Sequence, residues 1–149
     1  MHSINHTFTF SHPPEAVWQF LTDPDLMAQW LMKNDFKPIV GHAFQFKTNP
    51  IPSLNIDGIM HCTVLEIVPF KKLSYTWKAG PGNGKIELDT LVVWTLRPIA
   101  NGTELHLEHS GFRDPENHDI YKGMMNGWLT NLQKMANYIN TTQHGTTHA

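Results

Sequence analysis

The sequence predicts an α+β fold in which an antiparallel sheet packs against one long C-terminal helix. Between residues 41 and 112, segments of alternating apolar and polar residues follow one another without a long helical pattern between them. From about Asp114 the apolar residues step by three and four instead, which is the period of an amphipathic helix. One strand and two short helical segments precede the run of strands, so helices are segregated from the sheet rather than alternating with it.

The N-terminal segment predicts a strand followed by two short helices. Residues 4–10, "INHTFTF", place apolar and aromatic side chains on one face and threonines on the other. Ser11 precedes "HPPEAVWQFL", and prolines are tolerated in the first turn of a helix, so a helix is expected to start there. "DPDLMAQWL" then predicts a second short helix with Asp23 or Asp25 as its N-terminal cap.

The middle of the chain predicts a series of antiparallel strands. Turn signals separate the segments, and Asn101–Gly102 predicts a tight hairpin between the last two. The glycine-rich stretch "GPGNG" at 80–84 is not followed by a helix, which excludes a phosphate-binding loop. The predicted strands are residues 41–48, 59–68, 72–78, 91–98 and 103–112.

The C-terminal segment predicts a long helix with two glycines in its interior. An interior glycine costs a helix about 1 kcal/mol relative to alanine, so Gly123 and Gly127 need a reason. Close approach of another backbone is one reason, and room for a ligand between helix and sheet is the other. The domain is expected to span 1–141, with a frayed polar tail at 142–149. The apolar stripe consists of Tyr121, Met124, Trp128, Leu132, Met135 and Ile139.

Composition excludes several functional classes. Hydrophobic residues make up 40% of the 149 residues and the formal net charge is −2, without a basic run, so a nucleic-acid partner is not expected. No apolar stretch approaches the roughly 20 residues of a membrane span, and no signal peptide is recognisable. Cys62 is the single cysteine, has no basic neighbour, and is expected to be a buried inert thiol. A reducing, cytoplasmic location fits this composition best.

Five segments resemble a known superfamily. "DPDLMAQWL", "VGHAFQF", "DGIMHCTVLEIVPFKKLSYTW", "LVVWTLRPIANGTELHLEHSGF" and "GWLTNLQKM" occur in this order and cover nearly the whole chain. Together they resemble the START-like (SRPBCC, helix-grip) superfamily, and within it the bacterial proteins related to the C-terminal domain of the heat-shock-protein-90 ATPase activator. The resemblance implies a curved sheet of six or seven antiparallel strands that wraps around the C-terminal helix, with a hydrophobic cavity between them.

The resemblance also implies a set of functions. Members of this superfamily commonly bind lipids, polyketides, flavonoid-like aromatics or other small hydrophobic molecules, and a minority are cyclases, dehydratases or hydrolases. The extra N-terminal domain of the eukaryotic chaperone activators is not recognisable in this chain. The leading expectation is therefore a non-catalytic binder or carrier of a small hydrophobic ligand, aromatic or lipid-like. A chaperone co-factor that acts through its surface and an enzyme in the same cavity are the alternatives.

The stretch "LHLEHSGF" (105–112) contains the polar residues that most suggest chemistry. His106 and Glu108 share one face of the predicted strand and His109 faces the other way, so the three cannot meet at one metal ion, and no metal site is expected. His109 shares the inward parity of two leucines. It is either a core histidine satisfied by Ser110, by the chain near Asp114 or by a helix side chain, or a polar group that orients a ligand. No paired carboxylate or nucleophile can be placed beside it, so catalytic residues and cofactors are not expected.

The candidate ligand-binding residues are mostly aromatic side chains with inward parity. A pocket with aromatic walls and a few polar groups is typical of small-molecule sites, although the same residues would also make an ordinary core. Trp30 is expected to be a lid or mouth residue, at the end of the second short helix. The candidates are His109, Trp77, Trp94, Tyr75, Phe44, Phe46, Trp30, Met124, Trp128 and Leu132. The ligand and the oligomeric state cannot be named from the sequence.

Overall fold

The computed structural model describes residues 2–147, and their side chains through residue 140. A seven-stranded antiparallel sheet packs on a long C-terminal helix, as the sequence predicts. In chain order the elements are β1 (His2–Phe10), α1 (Pro14–Thr22), α2 (Pro24–Trp30), β2 (Lys33–Asn34), β3 (Ala43–Lys47), a turn of 3₁₀ helix (Pro52–Leu54), β4 (Ile59–Val68), β5 (Lys72–Ala79), β6 (Leu88–Ile99), β7 (Gly102–Phe112) and α3 (His118–Thr147).

The strand order is β1-β7-β6-β5-β4-β3-β2, and every neighbouring pair is antiparallel. Strands β2 to β7 form a meander, and β1 adds to the far side of β7. The predicted hairpin between β6 and β7 is confirmed, with Ile99 opposite Gly102 and Asn101 in the left-handed conformation at φ 65°. The seventh strand is β2, a two-residue element opposite Phe46 and Lys47 that has no alternating pattern of its own.

The two short helices are joined through Asp23. Its backbone N–H closes α1 on the carbonyl of Gln19, while its carboxylate accepts hydrogen bonds from the N–H groups of Asp25 and Leu26 at the start of α2. Of the two predicted caps for α2, the structure therefore uses Asp23. The indole of Trp30 also donates to the carbonyl of Phe20 at 2.8 Å, which ties the end of α2 to α1.

The first helix starts later than the sequence indicated. Pro13, not Ser11, is the N-terminal cap, and no side chain caps this end. A residue that precedes a proline is disfavoured in the helical region, and Pro13 is accordingly extended at φ −69° and ψ 160° before Pro14. The helix therefore begins at Pro14, too far along the chain for the Ser11 hydroxyl to cap it.

The apolar face of α3 packs on the concave face of the sheet. Trp128, Leu132, Met135 and Ile139 are buried, while Met124, nearer its start, is half-buried. The inward positions of β3 to β7 and the apolar faces of α1 and α2 join them in one continuous hydrophobic core. Full burial of a large apolar side chain contributes about 1.5–3 kcal/mol, so this core is the main source of stability.

No helix in the described part of the chain is both long enough and apolar enough to cross a membrane. The backbone of α3 is helical through Thr147, but the side chains from residue 141 onward lie outside the described set. The expected fraying of the tail at 142–149 stays a prediction.

Candidate functional site

A chain of hydrogen bonds crosses the centre of the sheet and ends on α3. The indole N–H of Trp128 on α3 donates to Nδ1 of His109 on β7 at 2.9 Å. Nε2 of His109 lies 2.7 Å from Oγ1 of Thr90 on β6, and that hydroxyl donates to the backbone carbonyl of Trp77 on β5 at 2.7 Å. Four residues on four elements are thus linked through polar groups inside an apolar core.

The partners of His109 fix its tautomer. An indole nitrogen can only donate, so Nδ1 of His109 is the acceptor and carries no proton. The Thr90 hydroxyl uses its proton on the Trp77 carbonyl, so its oxygen accepts the proton of His109 Nε2. The ring is therefore neutral and protonated on Nε2, and both nitrogens are engaged.

Burial keeps His109 neutral. The side chain is fully buried, and loss of hydration lowers its pKa from the usual 6.5 to about 3. With no free lone pair and no charge at neutral pH, the imidazole cannot act as a general base without breaking its bond to Trp128. Of the hydrogen-bond partners left open by the sequence, the structure shows a helix side chain, the Trp128 indole. A role of His109 in orienting a ligand stays a prediction.

Trp128 and Trp77 form part of the wall of an apolar recess of about 280 Å³. The recess lies between α3, the end of α2, the inner face of the sheet and the segment that carries the 3₁₀ turn. Its lining contains two indoles, three methionines and several branched aliphatic side chains, and no charged group occurs among these described residues. The lining residues are Leu31, Met32, Thr48, Ile51, Leu54, Ile56, Met60, Trp77, Gly123, Met124, Gly127, Trp128 and Asn131.

The two helix glycines face this recess for different reasons. A Cβ atom added at Gly127 would have no heavy atom within 4 Å, so this glycine borders open space. A Cβ atom at Gly123 would lie 3.2 Å from Cδ1 of Leu54, so this glycine permits the close approach of the 3₁₀ turn. The close contact at Gly123 is thus with a side chain rather than with another backbone, and room for a ligand beside Gly127 stays a prediction.

Trp77, one of the lining residues of the recess, carries an unpaired buried polar atom. Among the buried side-chain nitrogen and oxygen atoms of the residues whose side chains are described, only Nε1 of Trp77 has no hydrogen-bond partner. Its side chain is 2% exposed, and its ring lies against those of Phe46, His109 and Trp128 at centroid distances of 5.2, 5.5 and 5.3 Å. A buried donor without a partner is costly, so this atom marks a place where an acceptor would stabilise the site.

The candidate residues from the sequence divide between the recess and the core. Trp77, Met124 and Trp128 line the recess, and His109 lies directly behind the two indoles. The remaining six are buried in the core and are not among the lining residues: Trp94, Tyr75, Phe44, Phe46, Trp30 and Leu132. A role of these six in ligand binding stays a prediction.

Three of these core candidates, Trp94, Tyr75 and Trp30, also have their polar groups engaged. The indole of Trp94 donates to the Tyr75 hydroxyl at 3.0 Å, and burial raises the pKa of that phenol. Trp30, expected at the mouth, is 1% exposed and stacks edge-on against Trp94. The end of α2 does reach the mouth, but with the next two residues, Leu31 and Met32.

Sequence reasoning missed most of the outer wall. Ile51 and Leu54 lie in "NPIPSLN", which has the composition of a surface loop. One feature of the sequence could have indicated their role. Both are branched apolar residues in a segment whose other residues are mainly turn formers such as proline and asparagine. Besides the two tryptophans, Asn131 and Thr48 are the lining residues with polar side chains.

His106 and Glu108 lie on the outer face of the sheet, as expected. His106 bonds to Thr7 Oγ1 at 2.8 Å and to Asn5 Oδ1 at 3.1 Å, both on β1. Within the described residues, no three histidine, cysteine or acidic side chains are grouped so that they could hold a metal ion. Cys62 is buried, and burial together with the nearby Asp35 raises the pKa of its thiol.

A larger depression of about 520 Å³ lies at the start of α3 and has a different character. Its rim carries Glu87, Arg113, Glu116 and Asp119, and it is mainly polar. The buried Asn117 is already engaged there, because it donates to the Glu87 carbonyl and accepts from the N–H of Arg113. This surface does not suit a hydrophobic ligand.

Comparisons with known proteins agree with this architecture. The sequence model of the family described as "Activator of Hsp90 ATPase homolog 1-like protein" matches residues 11–140. No curated protein sequence matches the chain.

Solved structures resemble the chain over nearly its whole length. Protein MLL2253 from Mesorhizobium loti is 38% identical with a TM-score of 0.84, over 95% of this chain and 98% of the other. The Aha1 dimer from Colwellia psychrerythraea is 22% identical with a TM-score of 0.75, over 93% and 96%. DynU16, from the dynemicin biosynthetic locus, is 22% identical with a TM-score of 0.74, over 93% of this chain and 47% of that one. The last two likenesses show the fold alone.

Proposed function

The chain belongs to the family of Activator of Hsp90 ATPase homolog 1-like proteins, and we propose that it binds or carries a small hydrophobic molecule in the recess beside α3. The observation that carries this proposal is the uncharged, mainly apolar lining of the recess around Gly127, a helix position where an added side chain would meet open space. Small-molecule sites typically combine such apolar walls with a few polar groups.

The size of the recess indicates the size of the ligand. A buried cavity of about 150 Å³ is enough to bind benzene, so a recess of about 280 Å³ suits a compound of about two rings or a short acyl chain. Removal of apolar surface from water contributes about 25 cal/mol per Å², so about 200 Å² of buried ligand surface would supply roughly 5 kcal/mol before the costs of association. The methionines at 32, 60 and 124 allow the wall to adapt to the ligand shape.

A thermal-shift screen tests the proposal. Two-ring aromatics and medium-chain acyl compounds are expected to raise the melting temperature of the wild-type protein, because a ligand that binds only the native state stabilises it. The variant Gly127→Leu fills the recess and should lose the response. The matched control Asn126→Leu adds the same side chain at the neighbouring exposed position of α3 and should keep it. A screen without stabilisers, or stabilisers that act equally on Gly127→Leu, would contradict the proposal.

A chaperone co-factor is a second candidate, favoured by a separate observation. Five exposed apolar side chains lie in two segments, at 39–40 and at 65–70, and the hydrogen bond from the Gly41 N–H to the Val64 carbonyl brings these segments together. Exposed apolar patches often mark protein interfaces. An ATPase assay with purified Hsp90 tests this candidate, which predicts stimulation that is lost in Val40→Asp and unaffected by Gly127→Leu.

The enzyme alternative has no support in the recess. Acid–base chemistry needs at least one positioned titratable group, and the polar groups of the lining are the Thr48 hydroxyl, the Asn131 amide and the two indole N–H groups.

A further inference from the structure

We infer that the ligand of the recess presents an uncharged carbonyl or ether oxygen that accepts a hydrogen bond from the indole N–H of Trp77. The inference rests on the proposed function and adds a chemical class to it. It starts from two independent observations, the unpaired Nε1 atom of a side chain that is 2% exposed and the place of that side chain in the wall of an apolar recess.

The three rings packed against Trp77 offer no acceptor to this N–H. The three rings around it belong to Phe46, which has no polar atom, to Trp128, whose indole can only donate, and to His109. The one acceptor nitrogen of His109 is already used by Trp128, and its other nitrogen is itself a donor. Contacts with aromatic ring faces are only weak substitutes for a hydrogen bond. Trp77 borders the recess, but Nε1 itself has almost no accessible surface, so an acceptor reaches it from the recess only when a neighbouring side chain of the wall moves.

The charge of the lining decides which acceptor fits. An ionised carboxylate moved into an apolar site loses its hydration, and this loss is compensated only by a positive charge or by several hydrogen bonds. The lining contains no lysine, arginine or charged histidine, and His109 behind it stays neutral. A ketone, ester, aldehyde or ether needs no such compensation. The site thus selects neutral oxygen compounds over the fatty acids that the size of the recess alone would admit.

A set of three matched ligands tests the inference. 2-Acetylnaphthalene carries the carbonyl, 2-isopropenylnaphthalene replaces its C=O by C=CH₂ at nearly the same shape, and 2-naphthoate carries a carboxylate. Calorimetric titration of the wild-type protein should give a ketone affinity about five-fold above that of the alkene, the factor of one net hydrogen bond, although the alkene is the more hydrophobic compound. The carboxylate should bind most weakly.

An NMR measurement locates the effect. The five tryptophans give five indole N–H signals, and the spectrum of Trp77→Phe assigns that of Trp77. The ketone should move the Trp77 signal downfield, and the alkene should not. In Trp77→Phe the order of the two affinities should reverse, while Trp30→Phe, which removes another buried indole away from the recess, should keep the wild-type order.

The outcomes separate this inference from the proposed function. If all three compounds fail to bind the wild-type protein, the result contradicts both the proposed function and this inference. If ketone and alkene bind equally and shift the Trp77 signal alike, or if the carboxylate binds best, the recess is a binding site but the inference is overturned. The wild-type titrations distinguish these outcomes even if Trp77→Phe does not fold.

Discussion

Nδ1 of His109 accepts a hydrogen bond from Nε1 of Trp128 across 2.9 Å, and this bond joins the centre of the sheet to the long helix. The same imidazole donates onward to Thr90, so one neutral ring satisfies one donor and one acceptor in a region without water-facing surface. Buried polar groups stabilise a fold only when all of them are paired, and here removal of a single member leaves a partner unsatisfied. Through this bond His109 contacts Trp128, a residue that lines the recess.

His109→Phe should therefore destabilise the protein, although the replacement is apolar and of similar size. It leaves the Trp128 N–H without an acceptor, for which we expect a loss of about 2–3 kcal/mol in the free energy of unfolding measured with urea. Glu108→Phe, which introduces the same side chain at the adjacent exposed position on the outer face, should change stability by no more than about 0.5 kcal/mol. A double-mutant cycle with Trp128→Phe should give a coupling energy of about 1 kcal/mol. Strictly additive effects would contradict the described bond.

Stability should fall in mild acid because of the same histidine. The folded pKa of His109 is about 3, and a histidine in an unfolded chain has a pKa of about 6.5, so the unfolded state binds the extra proton first as the pH drops. The contribution of neutral His109 is complete above about pH 6.5 and is lost progressively toward about pH 3. Urea titrations between pH 7.5 and 4.5 should show a loss on the order of 2–3 kcal/mol. His109→Gln, which cannot take up a proton there, should show a flatter profile, and an identical slope would refute this assignment.

The Cys62 thiol should be protected in the folded protein. It is buried, and burial raises its pKa, so the reactive thiolate is scarce at neutral pH. We expect native protein to react with a thiol reagent such as 5,5′-dithiobis(2-nitrobenzoate) at least a hundred-fold more slowly than protein in urea, on the order of the protection that a global or large local opening requires. The rate should rise in His109→Phe in proportion to its loss of stability. Fast labelling of the native wild-type protein would show that the β4 region opens independently.

Alanine substitution should distinguish the two helix glycines. Gly127→Ala places its Cβ atom in open space, so the gain of helix propensity, up to about 1 kcal/mol, should be realised in full. Gly123→Ala brings its Cβ atom to 3.2 Å from Leu54, whose side chain must move, so its gain should be smaller. Melting curves of both variants measure this difference. A destabilised Gly127→Ala would mean that the space beside this residue is not available.

Most of the fold could be predicted from the sequence because it depends on local patterns. The two-residue alternation through Leu105, Leu107 and His109 gives the inward face of β7, and the spacing from Trp128 to Ile139 gives the buried face of α3. The sequence indicates a start of α1 near Ser11, whereas the two prolines fix the first helical residue at Pro14. This effect of the prolines is also local, so the first residue of α1 could have been predicted from Pro13–Pro14.

The recess was harder to predict because it depends on contacts between segments distant in sequence. Aromatic residues with inward parity fill the core where the sheet and helices meet, as Tyr75 and Trp94 do, and border space where they do not, as Trp77 does. Core residues and wall residues have the same inward parity along their strands, so the alternation pattern does not distinguish them. Leu54 belongs to the wall only because the 3₁₀ turn folds over Gly123, a contact across about seventy positions of the chain that no periodicity records.

The capping of α2 by Asp23 has a consequence for how a molecule reaches Trp77. The α2 side of the mouth is braced by that cap, by the bond from Trp30 to Phe20, and by the Asn34 amide, which donates to the carbonyls of Pro24 and Met32. The opposite side is one 3₁₀ turn, held by backbone hydrogen bonds within residues 51–56 and by a bond from the Asn55 amide to the Glu87 carboxylate. Its Leu54 side chain lies against Gly123, which has no side chain to hold it in place. Under the proposed binding function, we therefore expect a molecule wider than the opening to enter by displacing the Leu54 side chain rather than the braced α2 side.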